Sequence, residues 1–492
     1  MRHQAVVIGA GFGGLACAIL LASKGWKVKV LERQQAPGGK LQRIQREGYT
    51  FDRGLSSITM PHMFRSLFEK AGANLEDYIG LYELEPRSRN IFADGSVVDM
   101  SRDAEKMKDQ ISTFSPTDAL QYESFLRESA ELYQLSEEHF MNGLLSNWRE
   151  KANPAMLRNF LRARPATSLQ SLLRRYFTHP NTLAMLSRYS TVAGSSPQQS
   201  PSIFALLGHV EARMGVHGVR GGTYSIVEAM VRLALELGVE IITGSEAKHI
   251  AVRKGRVAGV ETDSGFYGTN TVIAAGDLLT MNRDLLDERD RPSMRDDKIR
   301  SYKLSHSSFV LLAGVPRQYS KLLHHTIFFP ESYTREFQEI FEYGQPPRHP
   351  ALYVCYSGFS EKGLAPEGSS NLYISAKVPY LTPLTDWEKE AKAYGENILS
   401  DLQNHGLTDI DKYDVMELYT PQNIAADTLA YKGSAYGISY NSLRQTFFRP
   451  GHRSKDVEGL WFVGGIGYFG GSTPLVTLAG RLVGEYIDAY KV

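Results

Sequence analysis

The sequence predicts an α/β fold in which a Rossmann-like dinucleotide-binding domain is combined with a helical insert and a second, mixed-sheet substrate domain. Three observations predict it. The chain opens with a strand, a glycine-rich loop, a helix and a second strand; it continues with a long stretch of helical periodicity; and it ends with another strand, glycine-rich loop and helix. The 492 residues permit two to three domains, and 42% hydrophobic residues can bury a large core.

The N-terminal unit runs from "QAVVIGAG" to "KVKVLER". Its first stretch is almost continuously apolar, as in a strand buried on both faces of a parallel sheet. "GLACAILLASKG" predicts a helix that ends at Gly25, and the second strand ends at Glu32. Strand, loop, helix, strand and acid in this order indicate a dinucleotide site rather than a simple glycine turn. The loop residues predicted to bind the dinucleotide are Gly9, Ala10, Gly11, Gly13 and Gly14.

Each position has a physical role in such a site. Gly9 permits the tight turn, Gly11 lets the backbone approach a pyrophosphate, and Gly14 lets the helix pack closely on the strand. The helix N-terminus offers free N–H groups and a positive dipole end to the phosphates. Glu32 lies where a carboxylate can accept hydrogen bonds from both hydroxyls of an adenosine ribose.

The remaining elements follow in order. "RNIFADGSVVDM" predicts a hairpin at Asp94-Gly95, and residues 103–200 show apolar residues at helical spacing. The stretch 218–265 predicts a glycine pair, a helix, a strand and a hairpin at Lys254-Gly255, and "TVIAAG" predicts a buried strand. The predicted division is a cofactor domain in three parts (1–85, 216–300 and 436–492), a largely helical substrate- and membrane-facing insert (86–215) and a mixed α/β substrate domain (301–435).

Charge and cysteine content exclude several classes of protein. The chain has 55 basic and 54 acidic residues, so it lacks the electrostatic footprint of a nucleic-acid-binding protein. Two cysteines, Cys17 and Cys355, are predicted to be buried hydrophobic residues in a reducing, cytoplasmic compartment. The sequence contains no apolar stretch long enough to span a membrane, although the protein is predicted to lie on a membrane surface.

The segment after Glu32 extends the motif in a characteristic way. "ERQQAPGGKLQRIQREGYTFDRG" resembles the two-dinucleotide-binding-domain flavoproteins, in which an acid, a basic residue, a glycine pair and a further basic residue wrap FAD. The resemblance implies that FAD is the cofactor and that it remains bound through turnover. It also implies that Arg33, Gly39, Lys40 and Gly54 contact it.

The chain as a whole resembles the carotenoid desaturase family of bacterial phytoene-desaturase-like flavoproteins. The segments that carry the resemblance include "VIGAGFGGL", "MGVHGVRGGTYSIVEAM", "LAPEGSSNLYI", "GSAYGI" and "WFVGGIGYFGGSTPLVTLAG". The resemblance implies oxidation of a linear carotenoid, either by desaturation or, as the tail "GGSTPLVTLAG" favours, at the terminal methyl group of a C30 diapocarotenoid. It further implies a lipophilic substrate reached from a membrane surface, and oxygen or a quinone as electron acceptor.

Several positions near the cofactor depart from the family pattern. Ala247 stands where the family usually has a valine whose backbone holds the adenine, and Tyr468-Phe469 replaces a His-Pro pair. Gly465 and Pro474 are predicted to contact FAD, and Gly471 to shape the same loop. No catalytic triad is recognisable, and the catalytic residues are unknown. Since the flavin carries the hard step, a strong general base is not required.

Several other residues have both a functional and a structural interpretation. Glu211, Arg213 and His217 are candidates for polar groups near the flavin or for ordinary helix-end charges. Gly221 and Gly222 indicate a close backbone approach near substrate or flavin, and Asp52 a loop tether. His324-His325 is not expected to bind a metal, because adjacent side chains on a strand point apart. The arginines that could contact anionic lipid headgroups, or simply form a solvated face, are Arg162, Arg164, Arg174 and Arg175.

Two functions from other classes remain open. A flavin amine oxidase would use an aromatic pair facing an amine, which Tyr468 and Phe469 could supply. A non-catalytic flavin-binding partner of carotenoid enzymes would bind FAD that no polyene reduces. Activity on amines, or its absence on every substrate, distinguishes these alternatives from carotenoid oxidation.

Overall fold

The structure, a computed structural model, describes residues 3–54, 56–141, 143–144, 166–466 and 471–490. The α-helices in these residues are α1 (Phe12–Ser23), α2 (His62–Lys70), α3 (Ala104–Ser112), α4 (Pro116–Ser136), α5 (Leu169–Leu173), α6 (Pro180–Ser187), α7 (Leu206–His209), α8 (Ser225–Glu236), α9 (Leu278–Leu285), α10 (Asp296–Ser301), α11 (Tyr333–Gln338), α12 (Trp387–Asn404), α13 (Pro421–Thr428), α14 (Leu443–Phe447) and α15 (Thr473–Tyr490).

The strands form two large sheets and three small ones. In chain order they are β1 (Gln4–Ile8), β2 (Lys27–Leu31), β3 (Gln42–Arg46), β4 (Tyr49–Arg53), β5 (Leu81–Glu83), β6 (Ser88–Ile91), β7 (Val97–Met100), β8 (His217–Val219), β9 (Glu240–Ile242), β10 (Ala247–Arg253), β11 (Arg256–Thr262), β12 (Gly265–Gly268), β13 (Val272–Ala274), β14 (Ser307–Val315), β15 (His325–Phe328), β16 (Leu352–Tyr356), β17 (Ser370–Val378), β18 (Val415–Tyr419) and β19 (Leu460–Phe462).

A parallel sheet of five strands forms the base of the molecule. Its order is β19-β13-β1-β2-β9, so strands from three separated parts of the chain lie side by side. The central strand β1 pairs Val6 with Val272 on one side and Ala5 with Val28 on the other. The predicted βαβ unit is present. The carboxyl ends of all five parallel strands lie at the same edge of the sheet, where α/β folds bind their ligands.

A second sheet of seven strands has the order β18-β14-β17-β16-β15-β6-β7. Its strands are antiparallel except for the pair β15 and β6. The hairpin predicted at Asp94-Gly95 forms as β6 and β7 and joins this sheet, although it lies within the range 86–215. The hairpin predicted at Lys254-Gly255 forms as β10 and β11.

Helices α3 to α7 occupy much of the predicted insert, and their buried residues share a core with β7 and β15. Arg162 and Arg164 lie outside the described residues, whereas Arg174 and Arg175 are exposed. In the described parts of the chain, no helix combines the length and apolar character needed to cross a bilayer.

The first helix packs against the last one at positions that only glycine allows. A Cβ on Gly480 would lie 2.3 Å from the carbonyl oxygen of Gly13 and 2.9 Å from the Ala16 Cβ. Almost every residue of α1 is buried between α15, α8 and the parallel sheet. The position of α1 is therefore fixed by backbone-to-backbone contact.

The Gly480→Ala substitution tests this contact. Alanine favours a helix over glycine, but here its methyl group overpacks the α1–α15 contact, so we expect a net destabilisation of about 2 kcal/mol. The apparent Tm measured by thermal denaturation falls by several degrees. The control is Gly268→Ala, whose Cβ would meet only a ring carbon of Phe266 at 3.7 Å. An unchanged Tm for Gly480→Ala would contradict the proposed packing constraint.

Candidate functional site

A cavity of about 590 Å³ lies between the parallel sheet and the seven-stranded sheet. Three groups of residues line it: glycine loops at the carboxyl ends of the parallel strands, side chains of β14, β15, β16 and β17, and residues from the helical insert. Of the thirteen residues predicted to bind the cofactor, those that line the cavity are Gly11, Gly13, Gly39, Lys40, Gly54, Gly465 and Pro474.

Gly11 is a glycine that the protein's own packing does not require. It adopts an extended conformation (φ −79°, ψ 177°) that any residue can take. A Cβ there would meet only the Cα of Gly39, at 3.8 Å. The space above it opens into the cavity at the N-terminus of α1, where free backbone N–H groups favour an anion. The residue therefore leaves room for a phosphate to approach this backbone.

Gly9 and Gly14 have the opposite character. Gly9 has φ +99°, and a Cβ on Gly14 would lie 2.1 Å from the Gly9 carbonyl oxygen and 3.2 Å from Val7. Neither residue lines the cavity. They allow the tight turn and the close contact of helix with strand, as the sequence predicts for these two positions.

Glu32 is buried at the end of β2. Its carboxylate accepts hydrogen bonds from the backbone N–H groups of Ala10 and Gln34, both at 2.8 Å. It therefore ties the glycine loop to the second strand. Each carboxylate oxygen retains a lone pair that could accept a ribose hydroxyl, because an ionised carboxylate offers about four acceptor sites.

Arg33 and Ala247 are two of the six predicted residues that do not line the cavity. The Arg33 guanidinium donates to the carbonyl oxygens of Ala426 and Asp427, both at 2.6 Å, and so fastens the loop after β2 to α13. Ala247 begins β10 and packs beside a hydrophobic core cluster. The structure assigns Arg33 a structural contact and leaves Ala247 no side-chain contact with the cavity.

Lys40 lies on the cavity wall next to the glycine pair. Its Nζ donates to the carbonyl oxygen of Ala435 at 2.6 Å. Burial lowers the pKa of Lys40, and the nearby Asp277 carboxylate opposes this shift. Asp277 caps α9 through the N–H groups of Leu279 and Thr280 and follows β13, so it lies at the carboxyl edge of the parallel sheet. The position after a buried strand could have drawn attention to it.

The loop before α15 forms another part of the wall. Gly465, Gly471 and Pro474 all line the cavity, and the helix N-terminus at Thr473 points at it through its first turn. A Cβ on Gly465 would make only ordinary contacts, the nearest at 3.5 Å. Tyr468 and Phe469 lie outside the described residues.

Asp52 tethers a loop, as predicted. It accepts hydrogen bonds from the Tyr224 N–H and the Thr223 hydroxyl, both at 3.1 Å, and from the Arg43 guanidinium at 3.4 Å. A Cβ on Gly222 would lie 2.4 Å from this carboxylate. Neither Gly221 nor Gly222 lines the main cavity, and the close approach at Gly222 is to Asp52, so their proximity to substrate or flavin stays a prediction.

Of the three polar candidates near position 211, the structure brings only Glu211 to the cavity. Arg213 accepts a hydrogen bond on its carbonyl oxygen from Arg102. His217 pairs in β8 with Glu83, and its ring is half-buried.

The two adjacent histidines do not point apart. The rings of His324 and His325 lie 4.5 Å from one another, because His324 precedes β15 rather than continuing it. With Cys355 they place three possible ligand atoms within 4.8 Å of one another. Burial lowers the pKa of His324 to about 4 and raises that of Cys355 to about 12, so both are neutral. The absence of a metal site stays a prediction.

The polar side chains that the seven-stranded sheet and its flanking residues contribute to the cavity are poorly placed for acid–base catalysis. Burial lowers the pKa of His306 to about 4, and its nitrogens face the carbonyl oxygens of Ser307 and Thr191. Lys377 forms an ion pair of 2.8 Å with Glu336. Among the described lining residues, each carboxylate is held by a cation or by backbone N–H groups, so none is placed as an unengaged general base.

Comparison with known proteins agrees with this site. Residues 12–365 match the family described as flavin containing amine oxidoreductase. The chain is 33% identical to a 4,4'-diapolycopene oxygenase of Methylomonas sp, over 99% of this chain and 98% of that protein. It is 31% identical to a zeta-carotene-forming phytoene desaturase of Myxococcus xanthus, over 98% and 93% of the two chains.

Solved structures show the same fold at low identity. An oxidoreductase from Methanosarcina mazei superposes with a TM-score of 0.67 at 16% identity, covering 98% of this chain and 100% of that one. Putrescine oxidase bound to putrescine superposes with a TM-score of 0.66 at 15% identity, covering 99% of each chain.

The fold and the glycine-lined cavity define a flavin-dependent oxidoreductase, and the dinucleotide fingerprint identifies its flavin as FAD. The chain belongs to the flavin containing amine oxidoreductase family. The residues present fit the cofactor, because Gly11 leaves room for a phosphate at a helix N-terminus and the glycine loops keep that end of the cavity free of side chains.

The Gly11→Ala substitution separates cofactor binding from folding. The added methyl group has room in the protein but fills the space above the α1 N-terminus. We therefore expect unchanged thermal stability of the apoprotein and, after purification, a flavin-to-protein absorbance ratio reduced at least about tenfold, because more weakly bound FAD dissociates on dilution. Gly268→Ala is the matched control. Normal flavin content in Gly11→Ala would place the phosphates elsewhere.

Proposed function

We propose that this protein is an FAD-dependent oxidoreductase of carotenoid biosynthesis that oxidises a linear carotenoid. The observation that carries the proposal is the similarity, over 99% of the chain, to a relative named 4,4'-diapolycopene oxygenase. A relative from Staphylococcus haemolyticus named 4,4'-diaponeurosporene oxygenase is 29% identical over the whole chain. The apolar wall that continues from the glycine loops, with Val310, Ile327 and Ile438, suits a hydrocarbon.

In this proposal the three parts 1–85, 216–300 and 436–492 hold FAD, and the parts 86–215 and 301–435 enclose the substrate. The five strands of the parallel sheet support the first group. The contacts proposed for FAD are phosphate at Gly11 and Gly13, ribose at Glu32, and the flavin beside Gly39, Lys40, Gly54, Gly465 and Pro474.

The bound flavin supplies two-electron oxidation by accepting a hydride. The protein contributes position and a mainly apolar cavity in which no described carboxylate is free to act as base. We favour oxidation of the terminal methyl group of a C30 diapocarotenoid. With oxygen as acceptor, one methyl group and one O2 give one aldehyde and one water, so atoms and electrons balance.

Carotenoid feeding tests this function. The protein is expressed in a bacterial host supplied separately with diapophytoene and diaponeurosporene, and pigments are analysed by mass spectrometry. We expect an oxygen-bearing end group, with the flavin-depleted Gly11→Ala variant as the inactive control and Gly268→Ala as the active one.

Other outcomes of this experiment identify other functions. Loss of hydrogen without gain of oxygen identifies a desaturase. An unchanged polyene, with an intact flavin spectrum, contradicts the proposal; activity on amines then supports an amine oxidase, and inactivity on both supports a non-catalytic partner protein.

We also propose that the protein acts at the cytoplasmic surface of a membrane, where its substrate dissolves. Arg174 and Arg175 support this, because both are exposed beside the helical insert. Each basic residue near an anionic surface contributes about 1 kcal/mol.

Charge reversal tests the membrane contact. We expect Arg174→Glu/Arg175→Glu to reduce cosedimentation with phosphatidylserine vesicles at least about tenfold, with low salt restoring little. Lys389→Glu/Lys392→Glu on α12 is the matched control, since both lysines are over four-fifths exposed. Equal losses in both variants would indicate a general charge effect and contradict a specific contact surface.

A further inference from the structure

Three charged side chains form a cluster on the wall of the cavity. Arg87 precedes β6, Arg188 follows α6, and Glu211 lies in the turn after α7. The Glu211 carboxylate accepts hydrogen bonds from the Arg188 Nη2 at 3.0 and 3.2 Å and from the Arg87 Nε at 3.3 Å. Arg87 is 2% exposed and Glu211 is 8% exposed. The cluster thus belongs to the interior and faces the substrate space.

The charges of the cluster do not balance. Two guanidinium groups share one carboxylate, which leaves a net positive charge. The groups packed around them add no anion: burial raises the pKa of Tyr122 and Tyr189 and that of Tyr333 to about 12, and burial lowers the pKa of His325. An uncompensated buried charge is costly, so an acceptor from outside the protein is favoured here.

One hydrogen-bond donor in the cluster is also unused. The Arg188 Nε is buried, and no hydrogen-bond partner is found for it among the described residues. The Arg87 guanidinium is more fully engaged, because its Nη1 donates to the Ser101 carbonyl oxygen at 2.6 Å and it also lies beside the Tyr122 hydroxyl. Because buried donors in folded proteins nearly always have a partner, the Arg188 Nε indicates an oxygen atom that occupies the cavity beside it.

We infer that Arg87, Arg188 and Glu211 form a subsite for the oxygen of an already oxidised end group, a carbonyl or carboxylate at the end of the apolar substrate. The inference rests on the proposed function, which places a long hydrocarbon in the rest of the cavity. A planar guanidinium suits a carboxylate or carbonyl acceptor. A methyl end would leave the Arg188 Nε donor unpaired, so an oxygen-bearing end binds here more tightly than the methyl end that the site also admits.

An end group that occupies this subsite has already been oxidised. A chain end that carries a carbonyl must come from an earlier oxidation of that end, either by another oxidoreductase or by an earlier turnover of this one. The oxygen-bearing end is then the polar handle by which the protein orients an otherwise apolar molecule.

Binding to the holoenzyme, without turnover, tests the subsite. Palmitic acid, palmitaldehyde and hexadecane are titrated separately, and dissociation constants are taken from the change in the flavin spectrum. We expect the acid and the aldehyde to bind at least about tenfold tighter than the alkane. Arg188→Met, which leaves Glu211 paired with Arg87, should abolish the preference. Arg232→Met, at an exposed ion pair with Glu236, is the matched control.

A conservative variant guards against misfolding. Arg188→Lys keeps the charge and removes the Nε donor, so the preference for the acid should fall less than that for the aldehyde. A preference for only one of the two oxygenated probes supports the subsite and identifies its ligand as acid or aldehyde. Equal binding of alkane and oxygenated probes, or an undiminished preference in Arg188→Met, overturns it.

The outcome is separable from that of carotenoid feeding. If polyenes are not oxidised but the end-group preference depends on Arg188, the subsite stands and the proposed substrate is wrong. If polyenes are oxidised and no preference is found, the function stands and the subsite is overturned.

Discussion

The close contact around the first turn of α1 is the constraint on which the rest of the site depends. Gly14 lies against the Gly9 carbonyl and Val7, and the Gly13 carbonyl lies against Gly480. Because α1 packs this closely against β1 and α15, it cannot shift by the width of a methyl group without separating them. Its N-terminus, with free N–H groups, is therefore fixed at the cavity, and the open space above Gly11 keeps its position.

Around this fixed helix, distant parts of the chain meet because of the parallel sheet. Strands β1, β2, β13 and β19 end at one edge, and the residues that follow them include Gly9, Glu32, Asp277 and Gly465. Polar ties then fasten the loops above this edge. Asp52 holds the segment before α8, and the loop after β2 is tied to α13, so the cavity is closed by contacts between separated segments. The site exists only when the whole chain is folded.

How much of this the sequence predicts depends on the range of the interactions. The βαβ unit and the hairpins are encoded locally, by periodicity and turn residues, and these predictions are confirmed. Gly222 shows the limit, because a sequence reveals that a glycine is needed but not that Asp52 is its neighbour. The two histidine rings show it too, since the sequence predicts a strand that includes His324 and the strand begins one residue later, at His325. The cluster around Glu211 joins three distant elements and has no local signature.

The two sets of buried charge on the cavity wall differ in a way that bears on how a hydrocarbon is held. Lys377 and Glu336 form one pair, and Glu336 also accepts the Ala351 N–H at 2.7 Å, so that charge is neutralised within the protein. The cluster of Arg87, Arg188 and Glu211 is not neutralised. In a mainly apolar cavity, dispersion contacts change little when a long chain slides or reverses, because they are non-directional. A single charged cluster removes this freedom, because it binds a polar end group in one place. It therefore determines which end of the molecule enters the cavity and how far, which apolar contacts alone cannot do.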